Sequence, residues 1–190
     1  MSLGVNALTT WERAKTALGF SSDQQDAVEF LIDAVSSTAN RISGRKLKAR
    51  DYTDIRIDGL GRDSIILPEY PIITLSGIYV DSSRVFGAET ALVITEYQVL
   101  SESGIIRIFS GNFPSGIGNI KVVGNLGFAT VPEDLELAVI ECVGYNRRRL
   151  ESGTTGMRQV SADGSVTSQY ELGLPLSVRE VFESYRDIRI

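Results

Sequence analysis

Histidine and cysteine supply much of enzyme chemistry, and this chain has no histidine and a single cysteine, Cys142. These two counts exclude a Ser-His-Asp or Cys-His catalytic device, a zinc finger and a disulfide framework. Cys142 lies among apolar neighbours, which predicts a buried, inert thiol in a reducing cytosol. Much familiar enzyme chemistry is therefore excluded before any motif is considered.

The acidic residues do not form a recognisable catalytic or metal-binding pattern. A glycosidase needs two paired carboxylates, and no spacing pairs any two of the four candidates, Asp54, Asp58, Glu96 and Glu102. No segment reproduces the alternating acids of a calcium loop. The glycine-rich residues 111–127 lack the Gly-Lys-Ser/Thr ending of a phosphate loop. The sequence therefore predicts no enzyme, no metal site and no cofactor.

Positive charge is concentrated in two short segments of an acidic chain. Nineteen basic against 24 acidic residues give a net charge of −5, which opposes non-specific binding to nucleic acid. Residues 41–50 nevertheless carry five basic groups and no acid, and residues 147–149 are three arginines. Both segments lie at the C-terminal ends of predicted helices, where the helix dipole favours positive charge. A contact with phosphate or with an acidic partner is the alternative interpretation.

The hydrophobic period changes from helical to extended and back along the chain. Helical spacing predicts two N-terminal helices, at residues 10–18 and from about residue 22 to Gly44. Short β-rich runs, Leu92-Val93-Ile94 among them, then alternate with turn residues as far as Val122. A third helix follows Pro132. The predicted class is α+β, with a helical core and an inserted antiparallel β-sheet or sandwich module.

The C-terminal region is expected to be an arm that ends in a helix. Residues 152–173 are polar and predict a linker, and the following helix carries a continuous apolar stripe. The stripe must be buried, either on its own domain or on a neighbouring subunit or partner. The expected organisation is a core at residues 1–151, with its β-rich insertion at about 51–130, and an arm with a helix at 152–190. We expect neither a signal peptide nor a membrane-spanning segment.

Several local motifs occur in a fixed order over most of the chain. They are Arg41-Ile42-Ser43-Gly44-Arg45, Pro71-Ile72-Ile73, Tyr97-Gln98-Val99, Gly104-Ile105-Ile106, Val131-Pro132-Glu133-Asp134-Leu135 and Asn146-Arg147-Arg148. In this order the chain resembles the head–tail connector proteins of long-tailed bacteriophages, also called adaptor or head completion proteins. One departure is Gly124, near a position where the family often has an aromatic residue.

The resemblance implies a structural virion protein of the head–tail neck, made in the cytoplasm of a bacterial host. Such proteins form a homo-oligomeric ring, commonly of twelve copies, beneath the portal. The ring extends the DNA channel and provides a docking surface for the next neck, stopper or tail-terminator protein. Packaged DNA would pass without sequence-specific binding, and no membrane is involved. A chain that is monomeric before assembly is compatible with this role.

The resemblance assigns one set of contact residues, and the ring that it implies leads to a hypothesis about a second. The terminal arm and helix of relatives engage the portal, so the candidates for portal or partner binding are Tyr170, Leu174, Val178, Val181, Phe182, Tyr185, Arg186 and Ile188. A ring needs contacts between subunits, and basic residues meeting an acidic surface of the neighbour are our hypothesis. These candidates are Arg41, Arg45, Lys46, Lys48, Arg147, Arg148 and Arg149.

A second function, from another class, is kept open by the aromatic residues. The chain could be another tail-completion protein or a β-sandwich that binds carbohydrate, and such a binder needs exposed aromatic rings on one sheet face. The available rings are Tyr52, Tyr70, Tyr79, Phe86 and Tyr97. Aromatic residues in strands are more often part of the core.

Overall fold

The computed structural model describes residues 2–152, 159–162, 165–169 and 174–186. The chain divides into two units, one formed by residues 1–45 with 131–190 and the other by residues 46–130. The first is helical and the second is built from strands, so the predicted α+β class with a β insertion is confirmed.

Among the residues that the structure describes, the helical unit contains four α-helices. They are α1 (Trp11–Leu18), α2 (Gln25–Ser43), α3 (Glu133–Glu151) and α4 (Leu176–Ser184). Side chains from both ends of the chain form its core, and among the buried residues are Leu8, Ala14, Val28, Ile32, Val35, Leu135, Val139, Val143, Val178 and Phe182. Cys142 is also buried, as predicted, and this burial raises the pKa of its thiol to about 11.

The β unit contains two three-stranded antiparallel sheets. The first has the order β1 (Arg50–Gly59), β6 (Gly116–Leu126), β3 (Ile72–Val80), and the second has the order β2 (Ser64–Ile66), β5 (Ile105–Ile108), β4 (Tyr97–Leu100). One apolar cluster takes residues from both sheets, including Ile55, Ile78 and Ile120 from the first and Ile65 and Ile106 from the second. The two sheets therefore share one core.

The β unit is closed where the chain enters and leaves it. Lys48 and Phe128 form a parallel bridge, and the Ala49 amide donates to the Phe128 carbonyl at 3.0 Å. Gly127 makes this approach possible. Its φ of 108° suits glycine, and a Cβ there would lie 2.8 Å from the backbone nitrogen of Ala49. The unit is thus an insertion with its own closure.

Two segments differ from their predicted structure. Leu92-Val93-Ile94 is not a strand, because the Val93 amide donates to Glu96 Oε2 at 2.7 Å and a short turn forms instead. The polar segment 152–173, predicted as a linker, contains an antiparallel pair, β7 (Gln159–Ala162) and β8 (Ser165–Gln169). In the sequence, Asp163-Gly164 stands between these strands, and Asp-Gly is typical of two-residue hairpin loops.

Candidate functional site

The C-terminal helix α4 packs on α2 and α3 of the helical unit. Phe182 is fully buried and Val178 almost so, which means that these two members of the predicted stripe lie in the core of their own unit. Val181 is half-buried, while Leu176, at the start of the helix, is 61% exposed. The helix therefore keeps a partly apolar outer side.

Tyr185 connects the C-terminal end of α4 to the start of α3 and to the segment that follows α2. Its hydroxyl donates to Asp134 Oδ1 at 2.6 Å, and its carbonyl accepts from Arg45 Nε at 3.1 Å. Burial raises the pKa of Tyr185, and the hydrogen bond to Asp134 and the charge of that carboxylate raise it further. Arg45, predicted at a subunit interface, is only 5% exposed and is bound within its own chain.

Three arginines surround one cavity of about 420 Å³ in the helical unit. We call it the basic pocket, and its lining consists of Thr38, Arg41, Ile42, Asn146, Arg149, Leu174 and Arg179. The residues come from the C-terminal ends of α2 and α3 and from the N-terminal end of α4. The lining contains no acidic residue, so nothing in it neutralises the three guanidinium groups.

The guanidinium groups of the basic pocket are weakly engaged. Within the described ranges, the Arg41 side chain has no ion pair or hydrogen bond, and Arg149 Nε is buried without an acceptor. The Arg149 guanidinium lies 5.9 Å from the Tyr145 ring centroid. Arg179 Nε lies 3.6 Å from Glu183 Oε1, with both side chains more than half exposed, and such a pair contributes little. The pocket can therefore accept an anion through charge-assisted hydrogen bonds.

The other predicted basic residues are not part of the lining of the basic pocket. Arg147 pairs with Glu151 at 2.7 Å, and Arg148 is exposed on α3. Lys46 and Lys48 belong to the β unit, where Lys46 is exposed and Lys48 is half-buried. The structure thus brings together Arg41 and Arg149 of the predicted set.

The remaining predicted contact residues are distributed unevenly. Leu174 lines the basic pocket, and Arg186 is exposed just after α4. Tyr170 and Ile188 lie outside the described residues. Sequence reasoning missed Arg179, whose only signal was a basic residue near the N-terminal end of a helix, where the dipole disfavours positive charge.

The aromatic residues proposed for a carbohydrate site do not form an exposed platform. Phe86 is buried, and the four tyrosines of that set are half-buried. The Lys121 ammonium lies 4.4 Å from the Tyr79 ring centroid, and the Arg56 guanidinium lies 4.0 Å from that of Phe86. These cations occupy the ring faces on which a sugar would stack.

Searches for a metal site and for a membrane span were negative over the ranges given above. No group of three or more Cys, Asp or Glu side chains there is arranged to hold a metal ion. None of the helices described is both long and apolar enough to cross a bilayer.

Comparison with known proteins gives one family and a set of similar folds. The family model described as "Head completion protein" matches residues 7–188. A search of curated proteins finds no match. The solved structure "Neck of empty GTA particle computed with C6 symmetry" matches with a TM-score of 0.65 and 18% identity, covering 100% of this chain and 95% of that one. "Neck of native GTA particle computed with C12 symmetry" matches with a TM-score of 0.61 and 17% identity, covering 100% of this chain and 94% of that one.

Proposed function

Because the chain belongs to the head completion protein family, we propose that it forms a ring at the neck of a phage-like particle, beneath the portal. The family is structural, and the prediction that this chain is a structural protein and not an enzyme is confirmed. In the proposal the ring extends the DNA channel and offers a surface to the next neck, stopper or tail-terminator protein.

The observation that carries the proposal is the extent of the family match, which covers nearly the whole chain and both units. Similar folds occur in neck structures computed with C6 and C12 symmetry, and a ring of twelve copies would fit both symmetries. A ring also makes weak contacts effective, since each further contact in a closed assembly is effectively intramolecular.

The proposed portal contact uses the outer side of α4. Val178 and Phe182 hold this helix in its own core. Among the other described members of the predicted set, Arg186 is exposed, and Leu174, Val181 and Tyr185 are half-buried. Leu176, which is mostly exposed, extends this surface. An exposed apolar side chain is a suitable anchor for a protein partner.

We expect DNA to pass through the ring without being bound by it. The net charge of −5 opposes non-specific binding. A negatively charged channel surface would repel the DNA phosphates, so the DNA could move along the channel. The Lys121 and Arg56 side chains are engaged over aromatic rings of their own unit. No membrane takes part in this role.

Deletion of the gene tests the proposed role directly. We expect negative-stain microscopy of the mutant lysate to show filled or leaking heads beside finished, unattached tails. Supplying the wild-type chain should restore joined particles. Intact particles that fail only in adsorption to cells would overturn the neck assignment.

The α4 contact is tested by adding purified full-length variants to heads from the deletion strain. Leu176→Glu should lose co-sedimentation with the heads, because it places a charge in an apolar contact. Ala34→Glu on α2, also at an exposed position, is the matched control and should bind like the wild type. Equal binding of the two variants would remove α4 from the portal contact.

A further inference from the structure

A second cavity of the helical unit is the chemical complement of the basic pocket. It has a volume of about 460 Å³ and lies between α1 and the N-terminal half of α3. We call it the acidic face, and its lining consists of Glu12, Arg13, Thr16, Ala17, Glu133, Glu136, Leu137 and Ile140. Three carboxylates therefore surround a partly apolar depression.

The carboxylates of the acidic face differ in their engagement. Glu136 accepts from Thr9 Oγ1 and pairs with Arg13 Nε, both at 2.8 Å, so its charge is balanced internally. Glu12 and Glu133 are exposed, and their carboxylates have no partner within the described part of the chain. Between them Leu137 is 55% exposed. An exposed leucine among free carboxylates suits a partner that is basic and partly apolar.

The basic pocket has that composition. Arg41, Arg149 and Arg179 surround the apolar Ile42 and Leu174, without an acid in the lining. Helix dipoles explain Arg41 and Arg149 at C-terminal ends and the two free glutamates at N-terminal ends. They do not explain Arg179 near the start of α4, nor the exposed Leu137. Helix dipoles therefore do not explain why each surface combines charged residues with an apolar centre.

The two surfaces cannot meet within one chain. Glu133 is the first residue of α3 and Arg149 is sixteen residues further on, which separates them by about 24 Å along one straight helix. A contact that joins two different surfaces of the same protein is heterologous, and its repetition closes into a ring when the rotation allows. A second copy of this chain therefore supplies the complement.

We infer that the basic pocket of one copy binds the acidic face of the next copy, head to tail around the ring. The inference rests on the proposed function, because only a ring or filament uses such a contact. DNA phosphate is the other anion of suitable chemistry. The net charge of −5 and the apolar centre of the pocket favour a carboxylate of a protein surface.

Cysteine crosslinking in assembled particles tests the contact. Thr38→Cys places a thiol at the basic pocket and Thr16→Cys places one at the acidic face, while the natural Cys142 is buried and unreactive. With a short bismaleimide, the double variant should give a ladder of covalent oligomers. Each single variant should give none, since a heterologous contact does not bring two identical positions together.

Charge reversal supplies the second readout, measured as the yield of the same ladder. Arg41→Glu and Glu133→Lys, each added to the double-cysteine chain, should reduce the ladder several-fold. Their combination should restore part of the yield, because positions 41 and 133 again carry opposite charges. Glu141→Lys, an exposed α3 position outside the acidic face, is the matched control and should leave the ladder unchanged.

The outcomes separate this inference from the proposed function. A chain present in particles that gives no ladder overturns the head-to-tail contact and leaves the neck role intact. A chain absent from particles overturns both. If the ladder is absent and Arg41→Glu weakens binding of the full chain to a labelled DNA duplex, the basic pocket binds phosphate and our assignment is wrong.

Discussion

The helical unit and the β unit are built by different routes. The β unit is one continuous segment, 46–130, with its own core and a bridge between Lys48 and Phe128 where it begins and ends. The helical unit joins the two ends of the chain, and its hydrogen bond from Arg45 to Tyr185 spans 140 positions in sequence. The β unit is thus completed within one continuous segment, whereas the helical unit requires both ends of the chain.

This difference bears on where contact surfaces can arise. Both candidate surfaces of the helical unit combine residues from distant segments, as in the basic pocket, where Arg41, Arg149 and Arg179 meet. The basic pocket exists only when α4 is docked, because Leu174 and Arg179 belong to the segment that α4 holds in place. A change that releases α4 should therefore remove a binding surface as well as stability, whereas a change in the β unit should affect stability alone.

Truncation of Phe182 should have the largest effect. Its side chain is fully buried between α4 and the rest of the helical unit, so Phe182→Ala should lower the free energy of unfolding by about 3–5 kcal/mol. Chemical denaturation followed by circular dichroism measures the change. Leu176→Ala, on the exposed side of the same helix, should stay within about 0.5 kcal/mol of the wild type. Similar values for both variants would mean that α4 does not dock as described.

The alternation of helical and strand periods made the class, the order and most elements of the fold predictable. Leu92-Val93-Ile94 was wrongly predicted as a strand from its β-rich composition. The segment forms a turn because the Glu96 side chain accepts a hydrogen bond from the Val93 amide, three residues earlier. Asp163-Gly164 was an available hairpin signal in a segment whose polarity favoured a linker.

The candidate site was less predictable than the fold. The apolar stripe on α4 showed that the helix docks, but a stripe does not identify its partner, and Phe182 proved to lie in its own unit. Likewise the basic segment 41–50 contains both the exposed Arg41 and the buried Arg45. Burial of a single arginine depends on a carbonyl 140 positions away, and no local pattern contains that information.

Gly124 tests the β unit at the position where the chain departs from the family pattern. It is buried in β6, and an added Cβ would overlap the Thr74 carbonyl oxygen of β3 and lie 3.1 Å from Leu75 Cδ2. Gly124→Ala should therefore destabilise the protein by about 1–3 kcal/mol in the same denaturation assay. Ile117→Ala, an exposed change on the same strand, is the control. We expect Gly124→Ala to leave crosslinking through the basic pocket unchanged, which would show that a change in the β unit affects stability but not the contact surface of the helical unit.

Tyr185→Phe should have a smaller effect, because it removes one hydrogen bond to Asp134, worth about 1 kcal/mol. The pKa of Tyr185 is raised in the folded state, so the neutral phenol is favoured there. This contribution is present below the ordinary pKa of 10.0 and is lost as the pH rises through the folded value. Unfolding measured from pH 8 upward should show a steeper loss of stability for the wild type than for the variant. Parallel curves would show that the hydroxyl is not bound in the folded state.

The smallest effect is expected in the loop that follows β3, whose shape depends on Asp81. Its carboxylate accepts from the Ser83 hydroxyl at 2.6 Å and from the amides of Ser83, Val85 and Phe86 at 2.8–2.9 Å. The Ser83 hydrogen bond, and then the amide bonds, lower the pKa of Asp81, so its contribution is present above about pH 4 and is lost as the pH falls further. Asp81→Asn should flatten the acid side of the stability curve. Ser83→Ala, which removes only the hydroxyl bond, should give an intermediate curve. An acid limb identical in all three proteins would show that the loop does not depend on this charge, and the β unit would then depend on its core and strand pairing alone.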